Sequence, residues 1–262
     1  MGGLLGGKGD MVKPNPMPPQ EPAVTAPAPS VVVPLPTAPA VVQTGITAAQ
    51  VTRCWPTNKE AARWADALNP AFRRFELTKD EHEAAFMAVC AQESGNGARL
   101  SESLDYQPHA LIATFSAFTP ELAQKYGRTA DHKADQYWIG EIAYGNRGGN
   151  GPPGTGDGYA NRGVGLIQQT GKTNLTTAAQ YFGMGLSDYR DWQRTPEGAA
   201  MGSCFYWKDN RLNRFAEVTS RDSFKKLSAV VNRGSEFKEP KDWDKRLICY
   251  ERALLAFGLR LR

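Results

Sequence analysis

A mainly α-helical domain behind an irregular arm is what this sequence predicts, and three observations carry that expectation. Several segments place apolar residues three and four apart between recognisable caps. No segment alternates apolar and polar residues as a half-buried strand would. The first 44 residues hold 10 of the 18 prolines and only four charged residues, which separates them from all that follows.

The chain divides accordingly. Residues 1–45 read as a disordered Pro/Ala-rich linker or tether, because "EPAVTAPAPSVVVPLPTAPAVVQT" has no aromatic groups and no helical period. Proline also removes backbone donors, which favours extended polyproline II. The opening "MGGLLGGKGDMVKP" is too short, too glycine-rich and without the basic start of a secretory signal. No run approaches the ~18 apolar residues of a membrane span. Synthesis in the cytoplasm, with no integral membrane segment, is the expectation.

Residues 46–262 then form one domain. "TAAQVTRCW" opens on a Thr47 cap and closes at Pro56. "NKEAARWADALNPAFRRF" carries apolar positions at Ala61, Ala62, Ala65 and Leu68. "TKDEHEAAFMAVCAQES" is the strongest helix: Thr78 and Glu81 have capping-box spacing, and Ala85, Phe86, Val89 and Cys90 make an apolar stripe. "LIATFSAF" and "TPELAQKYG" are shorter helices, the second with proline at its first position. "YGNRGGNGPPGTGDGYANRGVG" can only be loop or short turns. "TPEGAAMGSCFYWKD" and "WDKRLICYERALLAFG" are closing helices.

Composition excludes several functions. Four cysteines with no CxxC pairing are too few for a disulfide scaffold, and Cys90 and Cys204 sit in apolar runs as small core residues. The three histidines have no ligand spacing, so no metal and no cofactor is expected. "GLIQQTGKT" imitates a phosphate-binding loop but has five residues between its glycines where four are required, so no nucleotide is expected. Nor is nucleic acid. The net charge of +4 is uneven: residues 205–262 hold 14 Lys/Arg against eight Asp/Glu. That basic flank is either a solvated helix face or a surface suited to an anionic polymer.

The chemistry concentrates in "FMAVCAQESGNGARLSESLDYQ". Glu93 lies seven residues after Phe86, four after Val89 and three after Cys90, on the apolar face of its helix. Desolvation and the negative helix end at Gly95 favour its protonated form, as a general acid requires. Glu102 follows nine residues later in polar, flexible chain, where it stays hydrated and ionised with Arg99 nearby. One protonated and one ionised carboxyl facing a cleft suit glycosidic bond hydrolysis. Downstream, "GDGYANRGVGLIQQTGKTN" combines close-approach glycines with Gln168, Thr170 and Asn174, neutral groups that suit sugar hydroxyls and acetamides.

The ordered motifs "QESGNGARLSESLDYQPHAL", "YGNRGGNGPPGTGDGYANRGVGLIQQTGKTN", "SCFYWKDNRLN" and "VVNRG" resemble glycoside hydrolase family 19, in the compact form of phage endolysins and bacterial chitinase-like proteins. The resemblance spans about residues 46–258 and implies a lysozyme-like helical fold with a central cleft between two lobes. It implies an inverting reaction with Glu93 as acid and Glu102 as base. It places Gln168 and Asn174 on the sugar, Thr170 on the attacking water, Asn232 on the far side of the cleft, and Tyr106 of "SLDY" among the substrate-binding residues. Departures from the family pattern fall at Gln92, Val164, Leu175 and in "VNRG". The expected enzyme is a monomeric peptidoglycan hydrolase of lysozyme or endolysin type, acting in the periplasm or cell wall after release or delivery. A chitinase and an inactive glycan-binding domain remain as alternatives.

Overall fold

From Gly45 onward the chain winds into twelve α-helices and one 3₁₀ turn, Leu212–Phe215. A computed structural model describes residues 45–262, so the arm expected over 1–45 lies, but for its last residue, outside the described residues. In order, the helices are α1 Ala48–Cys54, α2 Ala61–Phe75, α3 Asp80–Ser94, α4 Pro108–Thr114, α5 Pro120–Tyr126 and α6 Gln136–Tyr144. They continue with α7 Asp157–Ala160, α8 Lys172–Tyr181, α9 Leu186–Trp192, α10 Pro196–Asp209, α11 Arg221–Arg233 and α12 Trp243–Ala256. Among the described residues there is no strand, only isolated antiparallel bridges joining Ser101 to Val164 and Val164 to Gln169. The mainly α expectation holds.

Helix α3 is the axis of the fold. It is not one-sided, as the stripe suggested: every residue from His82 to Ala91 is buried. Beyond His82 and Glu83 this buried stretch is apolar all round, as a fully covered helix is. Ala84, Ala85, Ala88, Cys90 and Ala91 do this with little volume, so neighbouring helices approach closely. α12 packs along it, while α10 packs on α2. Phe86 fills the junction, edge-on to Phe72 (5.2 Å between centroids) and Trp207 (5.3 Å). Full burial of one such side chain contributes about 1.5–3 kcal/mol. The expected Thr78–Glu81 capping box does not form. The helix begins at Asp80 after Lys79, which makes no side-chain cap bond, and Asp80, Glu81 and Glu83 supply acidic charge in the first turn instead.

Two smaller clusters build the other side. Leu104, Leu111, Phe118, Ala123, Ile139 and Ala143 gather α4, α5 and α6. Val164, Leu175, Ala178, Ala179 and Tyr189 gather α8 and α9. Leu175 and Val164, both departures from the family pattern, are thus core residues. Helices α6, α8, α9 and α11 were not expected from the sequence. Two of them carried legible start signals. Asp135 accepts from Trp138 N (3.1 Å) ahead of α6, and Ser220 accepts from Ser223 N (3.2 Å) ahead of α11.

One buried carboxyl on α3 is unused by the site. Burial, and then the neighbouring Asp80, push Glu83 up to about 8. Its folded value therefore lies above the ordinary ~4.3 of a free glutamate. The folded state holds its proton longer, so this stabilisation is complete below about pH 4.3 and is lost as pH rises toward 8. Glu83→Gln has no proton to lose. Urea unfolding between pH 5 and 9 is expected to show a flatter stability profile for the variant; a profile parallel to wild type would refute the assignment.

Candidate active site

The end of α3 sets the position of both glutamates. Gly95, Asn96 and Gly97 are all left-handed, with φ of 61°, 63° and 74°. Three such residues in succession turn the chain sharply back. Ser94, fully buried, fixes the turn: its hydroxyl donates to Cys90 O (2.6 Å) and accepts from Gly97 N (2.8 Å). Gly97 sits where a Cβ would stand 3.0–3.1 Å from Trp55 and Trp64. Those two rings meet edge to face at 5.3 Å, and Trp55 Nε1 donates to Met87 O on α3. A side chain at 97 would have to displace that pair.

Glu93 is placed on the last turn of α3, with its side chain 16% exposed. It is not alone in an apolar setting. Oε1 accepts from Arg246 Nη1 at 2.7 Å, and Arg246 is buried on α12. Arg246 Nε in turn donates to Lys241 O (2.8 Å), and Lys241 N donates to Asn232 Oδ1 (3.0 Å). One chain of bonds therefore runs from Glu93 through Arg246 and Lys241 to Asn232 on α11. The residue expected on the far side of the cleft is coupled to the candidate acid.

Glu102 is held as firmly. The polar, flexible stretch expected around it is instead pinned to the glycine-rich segment. Glu102 N donates to Gly163 O (2.8 Å) and Gly165 N to Leu100 O (3.0 Å). Its carboxylate accepts one bifurcated bond from Tyr144 Oη, 2.7 and 2.8 Å from its two oxygens, and another from Gly163 N at 3.1 Å. Arg99, expected beside it, makes no bond to it among the described residues. Burial and the adjacent Glu102 charge hold the Tyr144 hydroxyl far above the usual phenol range, so it stays a donor. A Cβ at Gly163 would stand 2.9 Å from Gln168 Oε1 and would push that side chain aside.

Gln168, Thr170 and Asn174 gather on and just after the same turn. Gln168 adopts a left-handed φ of 57° and donates from Nε2 to Arg99 O (3.0 Å) and Gly165 O (2.8 Å). Its amide nitrogen thus ties the turn to the stretch before Glu102. Thr170 Oγ1 donates to Gln168 O (3.1 Å), and Asn174 Nδ2 donates to Thr170 O (3.0 Å). Tyr106 is half-buried against Phe115, and burial first, Glu102 second, raise its hydroxyl above the usual value. Sequence reasoning missed Glu141. Fully buried on α6, it accepts from Gly154 N (2.9 Å), Gly156 N (2.9 Å) and Tyr159 N (2.8 Å), and so orders the glycine-rich loop.

No family model matches the chain. A glycosyl hydrolase family 19 domain-containing protein of Haemophilus influenzae is 32% identical over 154 residues, which cover 58% of this chain and 70% of that protein. This chain belongs to glycoside hydrolase family 19. Among solved structures, chitinase C from Streptomyces griseus HUT6037 aligns with a TM-score of 0.50 at 17% identity, over 82% of this chain and 77% of that one. A bacterial family 19 chitinase aligns at 0.44 and 17%, over 82% and 95%. The first of these shows a shared helical fold.

In this family 19 hydrolase, the residues that sequence reasoning missed are the partners of the glutamates. Tyr144 lies 42 residues from Glu102, and Arg246 lies 153 from Glu93. One signal was available for Arg246. It shares a buried face with Tyr250, Ala253 and Leu254, and a charge on such a face needs a partner. Arg246→Ala would strand the Glu93 carboxylate in a largely buried place, which costs about 3–5 kcal/mol. Chemical denaturation is expected to show that loss, and much less of it in the double variant Glu93→Gln/Arg246→Met, where no charge remains unpaired.

Proposed function

We propose that this glycoside hydrolase cleaves β-1,4 bonds between N-acetylated sugars of bacterial peptidoglycan with inversion, Glu93 serving as acid and Glu102 as base. The observation that carries the reading is that two carboxyls of neighbouring segments are each held by fixed donors, with one Glu93 oxygen left without a protein partner among the described residues. Glu93 presents one oxygen to a guanidinium and leaves Oε2 with no protein partner among the described residues. Glu102 is surrounded by donors alone.

In this mechanism Glu93 takes up a proton on Oε2 from solvent before the reaction and delivers it to the glycosidic oxygen as the bond to the anomeric carbon breaks, which restores its pair with Arg246. The carboxylate that forms is stabilised where it forms, by Arg246 at 2.7 Å. Glu102 takes a proton from a water on the opposite face of the sugar, and the hydroxide oxygen bonds to the anomeric carbon. Tyr144 and Gly163 N aim the Glu102 lone pairs and limit its motion. Thr170, whose own proton is directed to Gln168 O, has lone pairs left to accept from that water. Asn174, Gln168, Asn232 and Tyr106 line the sugar.

Net positive charge supports a wall polymer over neutral chitin. The chitinase name carried by the Streptomyces griseus structure favours chitin as the second reading. Among the described residues no helix is long and apolar enough to cross a membrane. We read the chain as made in the cytoplasm and delivered to the wall, with residues 1–45 as a tether.

The test is turbidity loss of permeabilised bacterial cells, alongside digestion of purified sacculi and of chitin oligomers, with the cut bond identified. Wild type is expected to release new reducing ends at N-acetylmuramic acid. Glu93→Gln and Glu102→Gln are each expected to lose at least about a hundredfold in rate. Cleavage of chitin oligomers alone would replace peptidoglycan by chitin, and either variant at wild-type rate would remove its assignment.

A further inference from the structure

Between α7 and α9 lies an open pocket of about 440 Å³ that none of the chemistry above uses. Its wall holds three guanidinium groups, Arg162, Arg190 and Arg194, against one carboxylate, Asp191, with Tyr159 and Ser187 beside them. Their bonds leave most of that charge unanswered. Arg162 Nε donates to Glu102 O (3.1 Å) and Nη1 to Tyr159 O (2.7 Å), both neutral carbonyls. Its guanidinium lies over the Tyr159 ring at 4.0 Å. Arg190 Nη1 donates to the Asn161 amide oxygen (2.9 Å), also neutral. Only Arg194 meets a carboxylate, that of Asp191. Asp157, whose charge reaches Arg190, is bonded to Lys172 (3.1 Å) and Gly151 N (2.9 Å). Two positive charges therefore have no bonded anionic partner.

Holding like charges together is unfavourable, and half-burial deepens the cost. Burial first holds Arg162 below its ordinary value; Arg194 and Arg190 act the same way, while Tyr159 and Glu102 act against them. A bound anion would relieve that cost. Guanidinium forks match carboxylate and phosphate oxygens in paired hydrogen bonds, which distinguishes this wall from a general basic surface. The neighbouring pocket of about 490 Å³ also reaches Arg194, but its Arg63 is already paired with Glu60 and Glu197. Both arginines of that neighbouring pocket, Arg63 and Arg194, have a carboxylate partner, whereas two without one among the described residues meet between α7 and α9. Arg162 joins the pocket to the site, since its Nε rests on the carbonyl of Glu102 itself.

We propose that the Arg162–Arg190–Arg194 pocket binds a carboxylate borne by the peptide branches of the wall glycan, so that the polymer is held by a charged side group close to the residue that activates water. This rests on the peptidoglycan reading for its ligand, though not for the pocket. Chitin has no such group and would leave the pocket unused.

The experiment is calorimetric titration at low salt of the full chain with a disaccharide tetrapeptide, in its free-acid form and as its methyl ester. Wild type is expected to bind the acid at least about tenfold more tightly, the scale of hydrogen bonds to charged groups. Arg190→Gln/Arg194→Gln is expected to lose that preference; Arg162 is left in place because it supports Glu102. Equal binding of acid and ester by wild type, or a folded double variant that keeps the preference, overturns the proposal. Should the double variant not fold, exposed Arg194→Gln alone is expected to reduce the preference several-fold, and an unchanged preference overturns it. Inorganic phosphate is titrated in parallel. Phosphate binding that the variant loses, with acid and ester bound alike, overturns the carboxylate in favour of a phosphate-bearing polymer. Sacculus hydrolysis is scored separately. An acid preference without hydrolysis leaves the pocket standing and removes the peptidoglycan reading; hydrolysis without the preference removes the pocket alone.

Discussion

The ion pair between Arg246 and Glu93 is the constraint around which this molecule is arranged. Neither partner is free to move into water: their side chains are 4% and 16% exposed. A pair this dry contributes little net stability, because desolvation offsets most of the attraction. Its consequence is specificity. It fixes how far α12 slides along α3, and through Lys241 it fixes the turn that leads back to Asn232. The large cluster under α1, α2, α3, α10 and α12 tolerates many arrangements of similar apolar area, and the paired charges select one.

A second buried carboxylate does comparable work on the opposite side. Glu141 gathers three backbone N–H groups from a loop whose glycines could adopt many paths. Asn150 and Asn161 extend that order: the Asn150 amide oxygen accepts from Asn161 Nδ2 (3.1 Å) and from Lys172 N at the start of α8 (3.0 Å). The loop thus hands Gly163 and Arg162 to Glu102 at a defined height. Both candidate carboxyls are positioned by groups from distant parts of the chain. Rigid support of this kind is what acid–base chemistry demands, since rate falls steeply with misplacement.

Much of the site was legible in the sequence as residue identity. Glu93 and Glu102 stood out through their contrasting surroundings, and Gln168, Thr170 and Asn174 through their setting among glycines. What was misjudged was environment. The stretch around Glu102 read as flexible because Gly, Asn and Ser carry no periodic signal. It is ordered by bonds to residues 60 positions later, which no local pattern reports. The helix α3 stripe read as one-sided because Glu83 and His82 are polar, yet both are buried. Helices α8 and α9 escaped notice because they are short and rich in Thr, Asp and Gln, with few buried apolar residues to mark a face.

The sequence by itself determined where α1, α5 and α10 begin, because a Thr cap and a proline at the first position act within one turn. It pointed to a class of chemistry through two candidate carboxyls and a neutral, glycine-flanked turn. Only the tertiary structure decided which groups face those carboxyls. Arg246, Tyr144 and Gly163 arrive from three separate regions of the chain. Their partnership depends on how α12, α6 and the glycine-rich loop pack about α3, and packing sums many weak contacts over long sequence separations. The arginine pocket between α7 and α9 belongs to the same category. Its three charges lie within 33 residues of one another in sequence, but their convergence, and the lack of a bonded carboxylate for two of them, exist only in three dimensions.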